Sequence, residues 1–232
     1  MVTERRNEIA QRITIVIPVL NEAAGVVRCL EALAPLRARG HEVVVVDGGS
    51  DDGTPELARA LADRVLAAPR GRALQMNAGA GVASGASLLF LHVDVRLPQG
   101  ADRMLLEALA ARSWGRFDVR LDSPRALLRL VGTMMNLRSR LTGIATGDQA
   151  IFVRREAFES VGGYPGIPLM EDVELSVRLR RLGAPACLRA RALVSARRWE
   201  ARGALRTIAL MWHLRLAYFF GADPGRLAER FR

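Results

Sequence analysis

Residues 13–18 read ITIVIP, a short β-branched apolar run that predicts a first strand. Val26, Leu30, Leu33 and Leu36 then recur at helical spacing over 22–39, and Gly40 is the expected stop. At 42–47 the unbroken valine run EVVVVD has the pattern of a parallel strand buried on both faces. Thr54 and Pro55 open the next helix as N-cap and first helical residue. A weak third strand follows at 64–67, a helix at 72–84, and a fourth strand, LLFLH, at 88–92. This alternation predicts an α/β protein with a doubly wound, mostly parallel sheet flanked by helices. Ligands in such sheets bind beyond the C-terminal strand ends. The chemistry is therefore expected in PVLNE, DGGSDDGT and HVD, the segments after strands 1, 2 and 4.

The second half is less regular. Helices are expected near 102–112, over 124–141 and over 171–182, with strands at 116–121 and 149–153 and a helical tail from Gly203. The sequence divides into an N-terminal extension at 1–12, a first half at 13–98, a second half of the same domain at 99–192 and a C-terminal helical tail at 193–232.

Composition narrows the chemistry. The net charge is +10, and all 34 basic residues are Arg. Codon bias explains this as well as attraction to anionic partners does. The absence of Lys excludes a Schiff-base or P-loop lysine. Neither Cys29 nor Cys187 has metal-type spacing. Cys29 falls at helical spacing among apolar residues and is expected in the core, and nothing suggests a disulfide framework, which points to a reducing, cytoplasmic setting. Residues 1–12 carry no apolar signal-peptide core, and the longest apolar run, at 205–220, is broken by Arg206, His213 and Arg215. That tail helix either packs on the core or lies on a membrane, peripheral to the inner face. Nucleic-acid binding is suggested only by charge, and no recognised module supports it.

The chemistry-bearing residues each have a plain structural role as well. Asp47 and Asp52 lie in a glycine-rich turn and can simply close it. Asn21 and Glu22 suit a helix start. Asp94, beside the ends of strands 1 and 2, is a candidate ligand for Mg²⁺ or Mn²⁺, which often use one or two protein carboxylates while substrate phosphates complete the shell. His92 can be structural or catalytic. Glu171 and Asp172 begin a helix, where the dipole alone favours acids. As an adjacent pair they can also offer a general base, one member having its pKa raised by the other and by burial. Arg72, at a helix start, suits an anion.

The stretches IVIPVLNEA, VVVVDGGSDDGT, GRALQMNAGAGVASGASLLFLHVD, TGDQAIFVRREAFESVGGYP and MEDVELSVRLRRLG, in this order, resemble the family 2 glycosyltransferases. The resemblance implies a GT-A fold, a nucleoside-diphosphate sugar donor, an acceptor hydroxyl and a divalent metal. It assigns donor binding to Pro18, Asn21, Glu22, Asp47, Asp52, Arg72, Asn77 and His92, and the metal to Asp94. Asp172 becomes the catalytic base with Glu171 beside it. Gly147, Asp148, Gln149, Arg197, Arg198 and Trp199 become contacts to acceptor or diphosphate. Three departures stand out. His92 replaces the first acid of the D-x-D motif, Leu20 replaces an aromatic, and Ser195 replaces the Gln of Q-x-x-R-W. LHVD and IPLMED are most similar to a small bacterial subgroup linked to arsenosugar or carotenoid-type lipid glycosylation. An oxidoreductase would want G-x-G-x-x-G after strand 1, where PVLNEA stands. A nucleotide-sugar-binding protein or a nucleotidyltransferase-like enzyme is the alternative function.

Overall fold

The computed structural model describes residues 11–231, with the side chains of 198, 201, 202, 230 and 231 outside the described set. Residues 1–10 of the predicted extension also lie outside it.

Strands β1 (Ile13–Val19) and β2 (Glu42–Asp47) are buried along their whole length. Their alternate side chains face opposite ways, as the pleat requires. Ile13, Ile15, Ile17, Val43 and Val45 enter one apolar layer, and Val16, Val44 and Val46 enter the other. The first layer is covered by α1 (Ala23–Ala38) through Val26, Cys29, Leu30 and Leu33, as the spacing predicts. Helix α3 (Arg72–Val82) covers the second, and its Gly79 lies so close to the sheet that an added Cβ would fall 2.4 Å from Val16. Strand β3 (Arg64–Ala67) pairs with β2, while β4 (Ser87–Phe90) pairs with β1, all parallel.

The second half completes one eight-stranded sheet in the order β3-β2-β1-β4-β7-β6-β8-β5. Strand β7 (Phe152–Arg154) runs antiparallel between β4 and β6 (Trp114–Asp122), and β8 (Ala186–Ser195) runs parallel to β6. Strand β5 (Val95–Arg96) pairs antiparallel with β8. The parallel half thus holds the segments after β1, β2 and β4, and β7 brings the second half of the chain directly against β4.

Several expected boundaries shift. The fourth strand ends at Phe90, which leaves His92 and Asp94 in a turn. Helix α2 (Thr54–Arg59) has Gly53, at φ 82°, as its N-cap, so Thr54 is already helical and fully buried. Of the strand expected at 149–153 only the end forms, after a 3-10 turn at Gly147–Gln149. Helices α4 (Ala101–Ala111) and α5 (Ala126–Thr142) form as patterned. Strand β8 and the short α6 (Arg155–Ser160) are additions. The alternation ACLRARALVS is half-exposed and arginine-bearing, so it lacks the apolar contrast that reveals a strand. Helices α7 (Glu171–Arg180), α8 (Arg197–Arg202), α9 (Ala204–Phe219) and α10 (Pro224–Phe231) complete the chain.

Candidate active site

The loops after β1 and β2 are joined by backbone-to-side-chain bonds. Asn21 N–H donates to Ser50 Oγ at 2.9 Å, and Asp51 N–H donates to Asn21 Oδ1 at 3.0 Å. Glu22 N–H donates to Thr54 Oγ1 at 2.8 Å, and Ala23 N–H to Asp52 at 2.9 Å. Asn21 adopts φ 53°, the left-handed region Asn tolerates better than most residues. The side chain of Gln75, 3% exposed, donates to the carbonyls of Val19 and Val46, both at 2.8 Å, and so ties the two strand ends together.

Asp94 sits at the same edge. Its carbonyl accepts from Ser195 N–H at 3.0 Å. Burial, then the negative charges of Asp94 and Glu22, push the Cys29 thiol up to about 12, so both carboxylates lie close to that core residue. An added Cβ on Gly25 would meet Glu22 Oε2 at 3.6 Å and Val93 at 3.8 Å. The carboxylate after β1 and the turn after β4 are therefore neighbours.

The second carboxylate group begins α7. Met170, at φ 68°, is its N-cap, and its side chain is buried against Leu214 and Leu227. Glu171 is 3% exposed and faces Arg72 Nε at 2.8 Å across 99 positions of sequence. Burial and the neighbouring Asp172 raise its pKa, against the pull of Arg72. Glu171 Oε2 is buried and accepts no hydrogen bond. Arg72 loses basicity to burial but gains more from Glu171, Asp172 and Asp148. Asp172 accepts Gly147 N–H at 2.9 Å on Oδ2 and Val173 N–H at 2.8 Å on Oδ1.

Gly147 links this group to the strand ends. An added Cβ would fall 2.2 Å from His92 Cε1, so only glycine lets the backbone lie on that ring. His92 Nδ1 is 3.7 Å from Asp148 Oδ1. Gln149 is fully buried, with Oε1 accepting Thr146 N–H at 3.2 Å, and Ala150 adopts φ 48°. All three non-glycine residues with positive φ among the described residues, Asn21, Ala150 and Met170, border this region. Such strain collects where function fixes geometry.

The structure thus brings Glu171, Asp172, Arg72, His92, Gly147 and Asp148 together, with Asp94 in the turn that holds His92. Other expected residues are occupied locally. Asp47 accepts from Gly49 and Ser50 N–H, each at 3.0 Å, and from Ser50 Oγ, so it closes its own turn. Asp52 holds the starts of α1 and α2, and its bonds from Thr54 and Ala23 keep its pKa low. Asn77 makes a two-way bracket with the Tyr164 backbone, at 2.8 and 2.9 Å. Pro18 is buried inside β1 opposite Val46. Trp199 packs partly buried against the core, and Arg197 is exposed. The Arg198 side chain lies outside the described residues. Sequence pattern did not reveal Gln75, whose partners Val19 and Val46 are distant in sequence.

Among the described residues no group of three or more His, Cys, Asp or Glu could form a metal cage. Asp94 fits the other mode, one protein carboxylate with substrate phosphates completing the shell.

Comparison with known proteins identifies the family and the fold. The family model for glycosyl transferase family 2 matches residues 14–162. The succinoglycan biosynthesis protein ExoA of Rhizobium meliloti is 33% identical over 203 residues, 73% of this chain and 58% of that protein. A PGL/p-HBAD biosynthesis glycosyltransferase of Mycobacterium tuberculosis is 32% identical over 67% of this chain and 64% of that protein. The chain thus spans about three fifths of the length of these relatives. Among solved structures, a mannosyltransferase of Pyrobaculum calidifontis in complex with GDP-Man and Mn²⁺ superposes with TM-score 0.65 at 23% identity, covering 92% of this chain and 66% of that one. Glucosyl-3-phosphoglycerate synthase of M. tuberculosis, with Mn²⁺ and UDP, gives TM-score 0.58 at 21% identity, over 79% and 70%. The fold is that of the GT-A glycosyltransferases, and the chain belongs to glycosyl transferase family 2.

Proposed function

We propose that this chain is an inverting glycosyltransferase that moves a sugar from a nucleoside-diphosphate sugar to an acceptor hydroxyl with the help of a divalent metal. The observation that carries this is the Asp172 carboxylate, fixed by the Gly147 and Val173 N–H groups beside a second carboxyl, Glu171, whose proton burial favours. Asp172 takes the proton from the acceptor hydroxyl. The oxygen attacks the anomeric carbon from the face opposite the diphosphate, the new C–O bond forms as the old one breaks, and the configuration inverts. The fixed guanidinium of Arg72, with Arg197 and Arg198 along the 195–199 segment, opposes charge building on the leaving diphosphate. The carboxylates of Asp148 and Asp172 both act on Arg72 and border the region, so a diphosphate needs additional positive charge there. Mg²⁺ or Mn²⁺ held by Asp94 and the donor's phosphates would supply it as a Lewis acid.

In this reading residues 13–98 form the donor half, with Pro18, Asn21, Glu22, Asp47, Asp52, Asn77 and His92 shaping the nucleotide pocket. Residues 99–192 form the acceptor half, with Gly147, Asp148 and Gln149, joined by Trp199 of the tail, framing the acceptor. The subgroup resemblance in LHVD and IPLMED points the acceptor towards an arsenosugar or carotenoid-type lipid. Exposed Trp212, Leu216 and Phe219 of α9, with Phe220 just after it, favour peripheral contact with the cytoplasmic membrane face. No helix among the described residues is long and apolar enough to cross a membrane.

Purified protein incubated with Mn²⁺ and a panel of UDP- and GDP-sugars tests the proposal. Consumption of one donor is expected, with product of inverted anomeric configuration by proton NMR. A product of retained configuration, or failure of every donor to be consumed with and without metal, overturns it.

A further inference from the structure

The chain leaving α5 is held against α7 by Ala145 N–H donating to Ser176 Oγ at 3.0 Å, and α5 carries an arginine, within the electrostatic reach of Asp172, that the donor side does not use. Arg138 projects from α5, and its Nε and Nη2 atoms are buried without a hydrogen-bond partner. The neighbouring arginines are compensated. Fully buried Arg116 bonds Asp118, Ser139 Oγ and the Asn136 carbonyl, and Arg140 bonds the other oxygen of Asp118 at 2.8 Å. Arg138 shares none of these. Burial lowers its basicity and Arg116 adds to this, while Asp172 alone opposes them. Both Asp172 oxygens already accept backbone N–H groups.

A buried guanidinium with unmade bonds is costly, and an apolar side chain would fill the place more cheaply. Such a group in a native fold calls for a reason, and an anionic ligand would supply the bonds it lacks. Arg72 is already engaged by Glu171 Oε1 at 2.8 Å, whereas the buried Nε and Nη2 of Arg138 have no such partner, so Arg138 is open to a ligand of its own. The side chain is only half-buried overall, which leaves a ligand a way in.

We infer that the acceptor carries an oxyanion group, a phosphate or carboxylate, which Arg138 receives while Asp172 faces the acceptor's hydroxyl. This rests on the proposed glycosyl transfer for its word acceptor, but the anion seat stands on the arginine itself. The oxyanion can come from a soluble acceptor or from a lipid headgroup. The exposed side of α5 carries Leu127, Leu130, Met134, Leu137 and Leu141 at 3-4 spacing, a surface compatible with the second source.

Calorimetric titration with inorganic phosphate, needing no turnover, tests it on the full chain. Wild type is expected to bind, Arg138→Met at least tenfold more weakly, and Arg138→Lys between the two. Arg72→Gln serves as the donor-side control and should keep the Arg138-dependent binding. Without phosphate, Arg138→Met should melt at or above the wild-type temperature, whereas a structural arginine would leave a less stable fold. Equal phosphate affinity in wild type and Arg138→Met, or no binding by wild type, overturns the inference. Sedimentation with phosphatidylglycerol but not phosphatidylcholine vesicles, lost in Arg138→Met, identifies a headgroup. Phosphate binding without sedimentation identifies a soluble acceptor. If Arg138-dependent binding appears while no donor is ever consumed, glycosyl transfer fails and the anion seat stands.

Discussion

Gly147→Ala puts a methyl group where the structure has no room. The new Cβ would lie 2.2 Å from His92 Cε1, 2.5 Å from Nε2 and 3.2 Å from Nδ1. Reaching an ordinary carbon contact of about 3.5 Å requires a relative shift of about 1.3 Å. Neither partner moves freely. His92 is 13% exposed and faces Asp148, while the turn carrying Gly147 is followed by fully buried Gln149 and by Ala150 in the left-handed region. Overpacking of this kind costs about 1–3 kcal/mol. Because the Gly147 N–H also holds Asp172 Oδ2 at 2.9 Å, the proposed base moves with it, and a misplacement of about 1 Å can reduce turnover by about 10²-fold. Urea denaturation reads the first effect and initial rates of donor consumption the second. His92→Ala removes the obstructing ring, so stability should recover in the double variant, with a coupling of about 0.5–3 kcal/mol. Gly147→Ala with wild-type stability and turnover, or two losses that simply add, would refute the close approach as the cause.

Three further outcomes follow from the same geometry. Asp172→Asn should leave donor affinity nearly unchanged and lower turnover by about 10²- to 10⁴-fold; unchanged turnover removes Asp172 from the role of base. Asp94→Ala should abolish the metal dependence of donor binding in calorimetry, and a wild type that binds donor equally with and without metal counts against the assignment. Glu171 has its folded-state pKa raised by burial and by Asp172. Its contribution to stability is therefore fully present below the ordinary glutamate range and is lost as the pH rises through the raised value. Glu171→Gln keeps the neutral form at every pH, so its melting temperature should exceed that of wild type at pH 7 and the gap should close towards pH 4. Arg72 retains Asp172 and Asp148 nearby in that variant. A lower melting temperature at pH 7 with no pH dependence contradicts this account.

Much of the parallel half was legible because its signals are local. The β-branched run at Ile13–Val19 and the valines of Glu42–Asp47 announce strands buried on both faces. Strand-end chemistry then follows from topology, and the joined loops of Asn21 and Asp52 lie where that rule puts them. Within the 171–172 pair, where one raised pKa was expected, burial and the neighbouring Asp172 raise that of Glu171. Strand β8 was not legible, because Arg189 and Arg191 dilute its pattern and its stability comes from pairing with β6.

The sequence by itself determined the alternation of elements, the edge of the sheet where the loops after β1, β2 and β4 gather and the residue types available there, since hydrophobic period and turn chemistry act over a few residues. Only the tertiary structure decided which of those residues meet. Arg72 reaches Glu171, Asn77 braces Tyr164, and Gly147 lies on His92 because β7 inserts antiparallel beside β4 and carries the 147–150 turn with it. These partners are separated by 55 to 99 positions, and no local periodicity encodes a strand order that is set by burial across the whole sheet.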